Sequence, residues 1–256
     1  MPTQGYRSLE AKTKLAPAVE LYVLQRSGLR AFNPTPTGFG VALREVRRVT
    51  LEDYLSTIYR LEEVFGVART VDISVELGVR PATVTKVLRK LSEQGYVTWS
   101  KFRGFKLTEV GLGAVRPLIR NHRICEHFLY VLGFNLLEAH VYAHYMEHLP
   151  QVIIDGIHRF LGSPKLCPHG NPIPGEGAVE LKARPLKDLE VGEEGTVVGF
   201  RGELRTYLAE ALEKGLTIGS RVRVLAKTRR GLTVEVNGRE LYLSLKTAAT
   251  ILARQG

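Results

Sequence analysis

A chain of 256 residues with 36 Lys and Arg against 26 Asp and Glu carries a net charge of +10. It is long enough for more than one small core, and its charge favours a polyanionic partner. No apolar run reaches the roughly 18 residues that a membrane helix needs, and no charged stretch leads into an apolar one at the N-terminus, so neither a membrane span nor a secretory signal is expected. Two cysteines, Cys125 and Cys167, exclude a disulfide framework and suit a reducing cytoplasm.

Residues 1–48 read as a poorly ordered extension, with Pro17, Pro34, Pro36 and Gly38 among scattered basic residues. A compact pattern begins at Val49, and 49–115 reads as a winged helix-turn-helix. Thr50 is a good N-cap, with Glu52 and Asp53 in the first turn and an apolar stripe running to Gly66. A short helix over 70–78 closes on Gly78, and Pro81 opens a second one running to Gly95. An alternating strand over 96–102, a turn at Arg103-Gly104 and a return strand over 105–107 make the wing. The second helix of such a pair reads the major groove, and here its exposed side chains are Arg80, Thr83, Thr85, Lys86 and Arg89. Lys101 and Arg103 at the wing tip suit phosphate contact. A solvated basic face is the plainer explanation of the same residues.

Residues 116–176 read as helical. The first helix runs from 109 to 134, with a possible kink at Pro117. It carries His122 and Glu126 at i, i+4. A helix over 136–149 carries His140, His144, Glu147 and His148 within an arc of about 100°, since each residue turns the chain by that angle. Imidazoles and carboxylates in such a stripe are ligands for a divalent transition metal. His127, His158 and His169 have no partner at useful spacing and read as structural, and Cys125 reads as core packing. A third helix over 153–161 adds apolar surface that suits dimerisation. Residues 179–256 alternate as short strands at 189–199, 221–225, 232–236 and 240–243, with a hairpin at Asn237-Gly238 and a helix over 204–214. The fold class expected is mainly α with a small β domain: a winged helix-turn-helix, a helical dimerisation domain and an SH3-like β-barrel.

This order resembles the diphtheria toxin repressor family of iron- and manganese-dependent transcriptional repressors. The segment Tyr145-Met146-Glu147-His148 looks like the family's Glu-His ligand pair, and Gly170-Asn171-Pro172-Ile173-Pro174-Gly175 is similar to the phrase that closes its dimerisation domain. The resemblance implies a primary site of Asp53, His144, Glu147 and His148, and an ancillary site of His122, Glu126 and His140. Glu203 is the nearest match to a carboxylate that the β domain lends in some relatives. His144 stands where relatives more often have cysteine or glutamate, and Ser56 where manganese-selective relatives offer a further carboxylate.

The function implied is that of a cytoplasmic homodimer which, loaded with a divalent metal, binds palindromic operator DNA and represses metal-uptake genes. Mn²⁺ or Fe²⁺ is preferred and Zn²⁺ is compatible with the same ligands. Two other readings stay open. One is a zinc hydrolase, since His144 to His148 satisfies H-x-x-E-H. The other is a winged-helix repressor indifferent to metal.

Overall fold

The computed structural model describes residues 49–100, 104–177, 179 and 181–255. The extension expected over 1–48 lies outside the described residues, as do Lys101 and Arg103.

Helix α1 (Leu51–Phe65) starts on a capping box. Thr50 accepts from the Asp53 amide, and Asp53 Oδ2 takes the Thr50 amide at 2.6 Å. It ends at Gly66, whose φ of 71° a side chain would resist. Helices α2 (Thr70–Leu77) and α3 (Pro81–Glu93) form the expected pair, with Pro81 at the first position of α3 where its missing N–H costs nothing. Strands β1 (Val97–Ser100) and β2 (Gly104–Leu107) pair antiparallel, and an isolated bridge from Ala68 to Phe105 ties them to the loop after α1.

Helix α4 (Glu109–Val131) runs through Pro117 as one element. Helix α5 (Leu136–Met146) is capped by Asn135 and Glu138 in a second capping box. It stops three residues short of the expected end. Pro150 disfavours helix for Leu149 before it, and Leu149 closes a tighter turn onto the Met146 carbonyl. Helix α6 (Gln151–Phe160) follows.

The β domain comprises β3 (Arg184–Pro185), β4 (Glu194–Phe200), α7 (Arg205–Glu213), β5 (Arg221–Lys227), β6 (Gly231–Val236), β7 (Arg239–Ser244), α8 (Leu245–Thr250) and β8 (Ile251–Arg254). Its strands form one antiparallel sheet in the order β3-β8-β4-β5-β6-β7. The hairpin between β6 and β7 turns on Asn237 and Gly238, both at positive φ, as a two-residue turn of the expected type requires. β3, α8 and β8 are additions to the elements expected from sequence.

Three apolar clusters follow this division, with exchanges across it. Ile119 from α4, and Leu204 and Ala249 from the β domain, join the cluster of the winged helices, and Leu136 from α5 joins that of the β domain. No helix among the described residues is long and apolar enough to cross a membrane.

Candidate metal centre

The two capping boxes fix where the ligand-bearing helices begin. The first places Asp53 one turn into α1; the second phases α5 so that His140 and His144 face α4. His122 and Glu126 stand one turn apart on α4 and meet them. The result is three interlocking groups whose potential ligand atoms lie within 4.8 Å of one another: His122 with His140 and His144, Asp53 with His144 and Glu147, and Glu126 with Cys167 and His169.

His122 is the hinge between them. Its Nδ1 lies 2.6 Å from Glu147 Oε2, and its Nε2 lies 2.9 Å from Glu126 Oε1 and 3.1 Å from His140 Nδ1. His144 Nδ1 is 3.2 Å from the other oxygen of Glu147. His169 Nδ1 is 3.2 Å from the second oxygen of Glu126, while its Nε2 faces the Leu136 carbonyl at 3.0 Å. That carbonyl accepts a hydrogen bond from Nε2–H and so favours the neutral tautomer that turns the Nδ1 lone pair into the cluster.

Six of the residues expected from sequence, Asp53, His122, Glu126, His140, His144 and Glu147, are therefore gathered in one place. His148 stands apart. It lies beyond the end of α5, its side chain is 42% exposed, and its ring approaches Glu147 and Glu52 only at 3.6 Å each. Glu203 sits behind Cys167, at 3.4 Å from the sulfur, with both oxygens engaged by Arg123. Cys167 and His169 escape the sequence pattern, in which His169 reads as structural. They stand two apart in a loop, where helical periodicity has nothing to say, and their only signal is proximity to the Gly170–Gly175 phrase.

The electrostatics suit a cation. Burial opposes charge on Glu126, yet His169 and His122 hold its carboxyl well below the usual range. Glu147 is held far down in the same way, by His122 and His144 against its burial. Burial pushes His140 well down, and burial with neighbouring His122 takes His144 to about 4, so both stay neutral and keep lone pairs to donate. His122 and His169 go the other way: Glu126 raises both despite their burial. Burial, then Glu126 and Glu203, push the Cys167 thiol well up. Without metal, then, the buried carboxylates favour the protonated forms of His122 and His169. A divalent cation held by these residues would compete with those protons and would draw Cys167 towards thiolate.

This has a measurable consequence. An imidazole whose folded pKa is raised stabilises fully below its unfolded value, and the contribution is lost as pH rises through the folded value. The metal-free protein should lose the His122 and His169 contributions as pH climbs above the ordinary histidine value of about 6.5. Metal binding, which must expel those protons, should strengthen over the same window. The gap in Tm between the manganese-loaded and chelated protein is expected to widen as pH rises above about 6.5 and through the raised values of His122 and His169. Calorimetry at matched ionic strength reads it, and a gap that narrows would mean that His122 and His169 are neutral in the metal-free protein.

In the helix pair, Arg80, Thr83, Thr85, Lys86 and Arg89 are all exposed, as a groove-reading surface requires. Thr85 Oγ1 donates back to the Pro81 carbonyl at 3.0 Å, and Arg89 pairs in solvent with Glu93 at 3.2 Å.

The family described as "Iron dependent repressor, N-terminal DNA binding domain" matches residues 49–105. The one described as "Iron dependent repressor, metal binding and dimerisation domain" matches 108–175, and the FeoA domain matches 184–255. A manganese-dependent transcriptional repressor solved in complex with manganese is 30% identical, with a TM-score of 0.64 over 81% of this chain and 100% of its own. The chain belongs to the iron-dependent repressor family.

The structure of IdeR from T. acidophilum is 26% identical with a TM-score of 0.68, covering 82% of this chain and all of that one. The HTH-type transcriptional regulator MntR of Listeria monocytogenes is 39% identical over 93 residues, 36% of this chain and 64% of the relative. The match thus spans just under two thirds of the length of that relative. Membership of a repressor family sets the hydrolase reading aside, and the geometry agrees. In H-x-x-E-H chemistry the glutamate acts as a general base beside the metal, whereas Glu147 is buried here with one oxygen against His122 and the other against His144.

Proposed function

We propose that this repressor binds palindromic operator DNA as a homodimer when loaded with a divalent metal, Mn²⁺ or Fe²⁺ by preference, and thereby represses metal-uptake genes. The observation that carries the proposal is Asp53. It belongs to the first helix of the DNA-reading module, yet it lies within ligand distance of His144 and Glu147 from the end of α5. A cation bound there supplies a positive charge shared by both modules. Without it, the Asp53 and Glu147 carboxylates come within 4.8 Å of each other, and their like charges disfavour the arrangement. A ligand that favours one orientation of the recognition helices shifts the population towards it.

The ligands fall into two sets. Asp53, His144 and Glu147, with His122 and with His148 brought in from 3.6 Å, make a site of oxygen and imidazole that suits manganese and iron. Glu126, Cys167 and His169, with His140 alongside and Glu203 behind, make a softer site that also suits zinc. The exposed apolar side chains Val152, Ile153 and Phe160 on α6, with Val131 and Leu132 where α4 ends, offer the surface for a second copy. Two recognition helices related by a two-fold axis read a palindrome.

The test is a gel shift on DNA upstream of the protein's own gene neighbourhood with Mn²⁺, Fe²⁺, Zn²⁺ or a chelator. Retardation only with metal is expected. Equal retardation in chelator would establish instead a repressor that ignores metal.

A further inference from the structure

Away from the metal ligands, a second set of contacts holds the DNA-reading module. Helix α7 starts without a side-chain cap of its own: Leu204 occupies the cap position and no residue of the first turn is acidic. The opening amides of a helix need acceptors, and an anion is favoured there. Glu76 of α2 supplies both. One of its carboxylate oxygens accepts from the Arg205 amide and the other from the Thr206 amide at 3.2 Å. One turn earlier on the same face of α2, buried Asp72 pairs with Lys246 Nζ of α8. The ring of Phe65 meets that of Tyr207 edge-on, 5.8 Å between centroids. Nearby, Gly202 (φ 76°) approaches α1 so closely that a Cβ would stand 2.6 Å from the Val64 side chain and 2.9 Å from the Arg60 carbonyl. Thus α2, the helix immediately before the recognition helix, is fastened to the β domain by two charged contacts, with apolar packing beside them.

None of these contacts involves a metal ligand. They occur, however, in the same arrangement that brings Asp53 to His144 and Glu147. One orientation of the winged module satisfies both. We propose that Glu76 and Asp72 are positioning residues for DNA recognition: through them the β domain acts as a metal-independent strap, and less metal is needed to set the DNA-competent orientation. The inference rests on the metal-dependent reading above. Two interactions that favour the same state reinforce each other, reciprocally and by a coupling free energy.

The test uses the full chain with Glu76→Gln, Asp72→Lys, Lys246→Asp and the swapped pair Asp72→Lys/Lys246→Asp. In metal-free protein, hydrogen exchange at the Arg205 and Thr206 amides and along α2 is expected to accelerate in Glu76→Gln. The Mn²⁺ concentration for half-saturation, read by electron paramagnetic resonance without DNA, should rise about five- to tenfold in each single variant. Operator affinity at saturating Mn²⁺ should change little, and the swapped pair should bring the Mn²⁺ requirement back towards wild type. An unchanged or lowered requirement, or a swapped pair as impaired as its parents, would overturn the strap. A wild-type chain that binds Mn²⁺ but not operator would remove the proposed function instead, and leave exchange and Mn²⁺ binding to decide the strap.

Discussion

Glu147→Gln is expected to abolish metal-dependent operator binding while leaving the protein folded. Glu147 is the point where the ligand groups meet: one oxygen lies 2.6 Å from His122, the other 3.2 Å from His144, and Asp53 is within the same 4.8 Å group. Glutamine keeps the shape but removes one of two carboxylates facing the cation, and it points an amide N–H₂ where an anion stood. Loss of even a supporting group around a metal costs about 10- to 100-fold in affinity. Loss of a charged ligand should reach at least the upper end, or about 2.8 kcal/mol at 1.4 kcal/mol per decade. Mn²⁺ titration gives the affinity and circular dichroism checks the fold. Operator anisotropy at a Mn²⁺ level that saturates wild type should then show no binding. An unchanged Mn²⁺ affinity would remove Glu147 from the ligand set.

How far the sequence discloses this site depends on which element each ligand occupies. His122 with Glu126, and His140 with His144, stand one helical turn apart, and a period of 3.6 residues makes such pairs legible in the chain itself. Asp53 has no such signal; it reaches the cluster only because α1 crosses the other helices, so the resemblance alone points to it. Cys167 and His169 sit in a loop whose path is set by long-range partners, the Leu136 carbonyl and Glu126, which no local pattern encodes. His148 differs for the opposite reason. The stripe argument extends the helix as far as the pattern allows, but α5 ends at Met146; Glu147 at its C-cap keeps to the cluster, while His148 one residue on is half-exposed at its edge. In the β domain, the Asn237-Gly238 turn is legible because its chemistry is local, while β8 follows α8 directly with no turn signal between them.

The largest loss of stability is expected from Arg123→Met. This guanidinium is buried where the three parts of the molecule meet. Its Nε and Nη2 hold both oxygens of Glu203 at 2.6 and 3.1 Å, Nη2 also holds Glu63 of α1 at 2.6 Å, and Nη1 holds the Pro172 carbonyl at 2.6 Å. Glu203 is fully buried at a φ of 39°, a conformation that a non-glycine residue keeps only when its surroundings hold it there. Methionine would fill much of the space and leave Glu203 with Arg60 at 3.6 Å as its remaining cationic partner.

Removing one member of a buried ion pair costs about 3–5 kcal/mol, because the other is left charged and unpaired, whereas replacing both by apolar groups is often close to neutral. Arg123→Met should therefore cost about that much, and Arg123→Met/Glu203→Leu distinctly less than the sum of its parents. Urea unfolding in chelator measures this without a contribution from bound metal. Additive losses would mean that Glu203 is held by the backbone around it rather than by Arg123. Because Glu203 also lies 3.4 Å from the Cys167 sulfur, the same single variant should loosen the loop that carries Cys167 and His169. Thiol-reagent labelling of Cys167 in the metal-free protein should accelerate in Arg123→Met and return towards the wild-type rate in the double variant.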